Sequence, residues 1–64
     1  MTLKEALSII EKQREDYAAT SDNFEKVFPG AISAYRPLVK AYLTAEQSIA
    51  WMIEIYGEDH VIIE

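Results

Sequence analysis

The side chains able to do chemistry are few and scattered. His60, the one histidine, stands beside Glu58 and Asp59, residue types that can hold a metal or relay a proton. A zinc or catalytic site needs several ligands converging from separate elements, and three neighbours in a terminal tail are a poor supply. Ser8, Ser21, Ser33 and Ser48 offer hydroxyls, but no histidine is placed to activate one and there is no cysteine nucleophile. Tyr17, Tyr35, Tyr42 and Tyr56 read as core and contact aromatics rather than proton donors. With two glycines in the chain, no phosphate-cradling loop can be built. The expectation is a protein that is not an enzyme, with no catalytic, metal or cofactor-binding residues and no cofactor.

The charge pattern narrows the partners. The net charge of -5 is unevenly spread: residues 1 to 40 hold six bases and six acids, whereas residues 41 to 64 hold no base and five acids, Glu46, Glu54, Glu58, Asp59 and Glu64. Such a half repels phosphate, which argues against direct nucleic-acid binding and favours a basic partner. No basic segment leads into an apolar run at the N-terminus, so no signal peptide is expected. The longest apolar run, Ile49 to Ile53, is far short of the ~20 residues that span a bilayer. The absence of cysteine fits a reducing, cytoplasmic setting.

Half the residues are hydrophobic and 27% are charged, the balance of a folding chain. At 64 residues it buries only roughly 60% of the surface exposed on unfolding. Small domains add disulfides, a metal or oligomerisation; with no cysteine and one histidine, oligomerisation is the remaining staple.

Helical signals run through the whole chain. Thr2-Leu3-Lys4-Glu5 is a capping box, in which the Thr2 hydroxyl and the Glu5 carboxylate each satisfy the other's backbone amide. Leu3, Ala6, Leu7, Ile10 and Tyr17 then share one face, giving a helix over about 3–19. Arg14 lies on that apolar side, with its stem along the core edge and its head in water, or paired with a carboxylate. The cap-forming cluster Thr20-Ser21-Asp22-Asn23 ends this helix, and Asp22 with Glu25 opens a short second one over about 22–28, closed by Pro29-Gly30. Pro37 restricts Arg36, so the last helix is either kinked there or begins at Pro37, the reading preferred here. It runs to about Tyr56, where Gly57 stops it. An apolar tail, residues 61–63, follows. The fold class is all-α: one small bundle of two to three helices with a long C-terminal helix, completed by oligomerisation.

That last helix has more apolar surface than two short partners can cover. Leu38, Ala41, Tyr42, Ala45, Ile49, Met52, Ile53 and Tyr56 form the stripe expected to face the other helices. Val39, Leu43 and Ala50 lie along a flank, and Trp51 with Ile55 lies on the far side. A helix apolar around most of its circumference is a buried one. Either the Val61-Ile62-Ile63 tail folds over Trp51 and Ile55, or these residues meet another chain. The interface is therefore placed at Val39, Leu43, Ala50, Trp51 and Ile55, rimmed by Glu46 and Glu54, in a homo-oligomer (dimer or higher) or against a basic host protein. In being short, acidic, helical and oligomeric, the chain resembles the accessory proteins from early regions of temperate phages and mobile elements. The resemblance implies modulation of a host protein by binding and carries over no functional residue. A nucleic-acid-mimicking inhibitor using the acidic C-terminal surface is the second reading, and a DNA-binding transcriptional regulator the third.

Overall fold

The computed structural model describes all 64 residues and is all-helical. Two helices, α1 (Leu3–Val27) and α2 (Arg36–Tyr56), fold back on each other as an antiparallel hairpin with extents of 43 × 17 × 13 Å.

The start of α1 can be accounted for amide by amide. The four N-terminal amides of a helix have no partner within it. Here the Glu5 amide donates to the Thr2 hydroxyl at 3.2 Å, and the Thr2 amide to the Glu5 carboxylate at 3.1 Å, completing the expected capping box. The Ala6 amide donates to the Thr2 carbonyl. The remaining two reach across the chain: the Leu3 amide donates to the His60 carbonyl at 2.9 Å and the Lys4 amide to the Glu58 carbonyl at 3.0 Å. A single antiparallel bridge joins Thr2 to Val61, and the Ile62 amide donates to the Met1 carbonyl. The tail is therefore spent on the first turn of α1.

The two helices meet along one seam. On α1 it comprises Leu3, Leu7, Ile10, Arg14, Tyr17 and Ser21, and on α2 Val39, Tyr42, Glu46, Ile49 and Ile53, all buried or half-buried. These positions alternate steps of three and four residues, the spacing of coiled-coil seams. Leu3, Ala6 and Ile49 are its buried apolar centre, with Leu7, Ile10, Met52 and Ile53 packed around them. Higher up, the Tyr17 ring stacks on Tyr42 at 5.6 Å and tilts against Tyr35 at 5.3 Å. Between the two groups the Arg14 guanidinium pairs with Glu46, so the carboxylate alternative for Arg14 is the one realised.

Two helices stand where two to three were expected. The break placed at residues 20–23 is absent, and the short helix expected at 22–28 is the last part of α1. The cap-forming side chains there have other partners. The Thr20 hydroxyl donates back to the Asp16 carbonyl, and the buried Ser21 hydroxyl donates to Ser33 at 3.2 Å. Asp22 and Glu25 accept from the Arg36 guanidinium at 2.8 and 2.7 Å, and Glu25 also accepts from the Ser33 amide. The chain turns at Phe28–Gly30, and Gly30 takes φ +89°, a region that disfavours side chains. α2 begins at Arg36, one residue before the Pro37 start preferred from sequence, with Pro37 in its first turn, and Gly57 ends it at φ +91°.

Two predictions follow from these contacts. Thr2→Ala removes one side of the capping box and is expected to cost about 1 kcal/mol, with Thr2→Ser close to wild type; urea unfolding followed by circular dichroism measures both. Glu25 is the second. Hydrogen bonds from Arg36 and, secondarily, from the Ser33 amide hold its carboxyl below the ordinary value of 4.5. A carboxylate with a lower pKa folded than unfolded contributes stability that is complete above the unfolded value and is lost as the pH falls through the folded one. The urea midpoint should therefore drop as the pH is lowered below about 4.5, and Glu25→Gln should lower the midpoint at neutral pH and flatten that acid limb. Parallel acid limbs for the two proteins would contradict the assignment.

Candidate interaction surface

Successive residues on an α-helix point about 100° apart, so fixing the seam fixes what faces outward on either side. In an antiparallel pair, matching flanks of the two helices lie on the same side of the hairpin. The Arg36 contacts with Asp22 and Glu25 establish which flanks match.

One broad side is charged. It carries Lys4, Glu11, Glu15, Asp22 and Lys26 from α1 and Arg36 and Glu54 from α2, with the Arg14–Glu46 pair at its inner margin. The Arg36 guanidinium is held more firmly protonated than usual, first by Glu25 and then by Asp22, and Arg14 likewise by Glu46.

The opposite broad side has no charged residue along its centre. From α1 it takes Ile9, Gln13, Thr20, Phe24 and Val27, and from α2 Ala41, Ala45, Ser48, Met52 and Ile55. Asp16 stands at its outer edge. Two concavities adjoin it. One runs along the outer edge of α2 and is bordered by Thr44, Gln47, Ser48, Trp51 and Met52. The other, beside the turn, is bordered by Thr20, Phe24, Ile32 and Tyr35. Large apolar side chains stay in water here: Trp51 is 63% exposed, Ile55 52%, Val27 60% and Ile32 79%.

The residues expected to form one interface are divided by this geometry. Ile55 borders the uncharged side, and Trp51 lies on the outer back of α2 between the two sides, beside Gln47 and Ser48. Leu43 and Ala50 are exposed on the charged side, and Val39 is half-buried in the seam. Glu54 lies on the charged side. Glu46, expected at an exposed rim, is instead 8% exposed inside the hairpin, because Arg14 on the facing helix gives its carboxylate a partner. Leu38 and Tyr56, read as part of the inward stripe, are 40% and 59% exposed; a single partner helix covers a narrower stripe than two would. The tail does not cover Trp51 and Ile55, since its backbone is held at Met1 to Lys4.

Sequence reasoning missed Ile9 and did not join Phe24 and Val27 to the C-terminal helix. Their signal was present as apolar residues on the same flank of α1, but it acquires meaning only once α1 is continuous to Val27. The hydroxyls on this surface, Thr20 and Ser48, have no histidine beside them, and most of what it supplies is apolar area. No group of three or more His, Cys, Asp or Glu side chains converges anywhere in the chain. No helix is long and apolar enough to cross a membrane.

Comparison of the chain with protein-family models, with curated proteins and with solved structures gives no match.

Proposed function

We propose that this protein acts by self-association and protein–protein interaction, as a small regulatory or accessory factor that modulates a partner protein through the uncharged side of its hairpin. The observation that carries the reading is the exposure of Trp51, Ile55, Phe24, Val27 and Ile32 around a surface without charge. Covering such side chains fully is worth roughly 1.5–3 kcal/mol each. Exposed large apolar side chains without charge between them favour contact with another protein, and Trp is among the residues that dominate binding energy when covered. The charged side gives the molecule a solvated back. The mimicry reading is weakened, because Glu46, one of the five acids of the C-terminal half, is committed to Arg14.

Photo-crosslinking tests this in the cells that produce the protein. A photoreactive amino acid at Trp51, Ile9 or Ser48 is expected to give covalent adducts of raised mass, and the same group at Glu15 on the charged side is expected to give none. Absence of adducts from all three of these positions, or equal adducts from Glu15, would overturn the reading.

A further inference from the structure

The interaction reading leaves open what covers the uncharged side. Resting on that reading, we infer that the occupant is a second copy of this chain, docked face to face with the turns at opposite ends to complete an antiparallel four-helix bundle.

Area is the first argument. A face with extents of 43 × 17 Å presents about 700 Å² in projection, close to the ~800 Å² per partner of a standard interface. It is also the larger of the hairpin's two kinds of side, so covering it turns a single layer into a packed pair of layers, the minimum around which a core closes. The need is evident from burial: only Leu3, Ala6 and Ile49 are buried apolar residues. The chain has no cysteine to staple it instead.

Self-complementarity is the second. A two-fold interface sets each patch against its own copy, so a charge close to the axis faces the same charge across it. At the level of the Arg14–Glu46 pair the uncharged side presents Gln13, Ala45 and Ser48, whereas the charged side presents Glu11 and Glu15. Residue size agrees along α2. When this helix runs antiparallel to its copy about a centre between Glu46 and Gln47, Ala45 lies opposite Ser48, Ala41 opposite Met52 and Leu38 opposite Ile55. Small residues then occupy the middle, where the two backbones approach, and Met52 stands over alanine.

Charge selects the orientation. The end holding the termini carries Glu5, Glu54, Glu58, Asp59 and Glu64 against Lys4, whereas the turn end carries Asp22 and Glu25 against Lys26, Arg36 and Lys40. With the turns at the same end, the two acidic ends would lie together. With the turns at opposite ends, each acidic end meets a slightly basic one, the arrangement that complementary potentials favour.

Sedimentation equilibrium of the full chain at micromolar concentrations tests the stoichiometry. The expected mass is twice 7.3 kDa. Ser48→Glu, which places two like charges near the axis, should weaken the dimer on the order of a hundredfold or more. Leu43→Glu, on the charged side, should leave it dimeric. Disulfide trapping tests the geometry even if Ser48→Glu also unfolds, because the chain contains no cysteine of its own. Ser48→Cys should oxidise to a covalent dimer, while Ile55→Cys, which is expected to sit far from its own copy, should not. A monomeric wild type, a dimer broken by Leu43→Glu and not by Ser48→Glu, or trapping through Ile55→Cys alone would overturn the inference. Photo-adducts at Trp51 that contain a different chain, alongside a monomeric wild type, would remove the second copy as occupant and the self-association in the proposed function, and leave its partner-binding part standing. No adduct at all would remove both.

Discussion

Two helices packed side by side have one line of contact, and that restriction governs the rest of this molecule. Each helix can turn only a narrow stripe toward its neighbour, so whatever lies a quarter turn away on either flank faces water in the isolated hairpin. A third helix would close a triangle and give every apolar flank a wall. Here the residues that sequence placed in a short middle helix continue α1 instead, and the hairpin stays a single layer 13 Å deep. Its interior is accordingly thin. Packing at the seam includes an arginine, a glutamate and a serine as well as aliphatic residues, and the apolar remainder is displayed on the outside.

The polar members of the seam fix register rather than supply most of the cohesion. An apolar coiled-coil seam tolerates sliding by a heptad, whereas a charged pair at one level penalises every register that separates its members. Arg14 opposite Glu46 is such a level. The Ser21 to Ser33 hydrogen bond and the Arg36 contacts with Asp22 and Glu25 pin the turn end. At the other end the tail carbonyls of Glu58 and His60 take the open amides of α1. The hairpin is thus fixed at both ends and at its middle by directional contacts, with non-directional burial between them. Such fixation matters for a surface built from two helices at once, because a slip of either helix would scatter the side chains that compose it.

What could be read in advance follows from which signals are local. The capping box at Thr2 and Glu5, the proline in the first turn of α2 and the glycine that ends it are each decided within a few residues, and each stands within one residue of where the sequence places it. The Thr20 to Asn23 cluster misled because hydroxyl and carboxylate side chains serve equally as caps and as tertiary partners, and only the position of Ser33 and Arg36 in space decides between the roles. Glu46 misled for a related reason. A carboxylate reads as outward by default, and its inward position depends on Arg14, 32 residues away. The excess of apolar surface on α2 was legible from its periodicity, but its division between two sides was not. That division requires knowing that one helix packs against α2, and from which direction.

The same restriction explains why net charge and apolar excess coexist in the C-terminal half without conflict. Viewed as a string, residues 41 to 64 are both the most acidic and the most apolar part of the chain, an awkward mixture for any contact surface. Wound into a helix, the mixture separates: Glu46 turns inward to Arg14, Glu54 turns to the charged side, and Glu58, Asp59 and Glu64 fall beyond the helix end. Ser48, Met52 and Ile55 are left on a side without charge. The acidic residues are therefore placed where they do not oppose burial of that side. Separation of this kind costs nothing in composition and is invisible in it, and it makes a chain with a buried apolar centre of only three residues suited to being completed from outside.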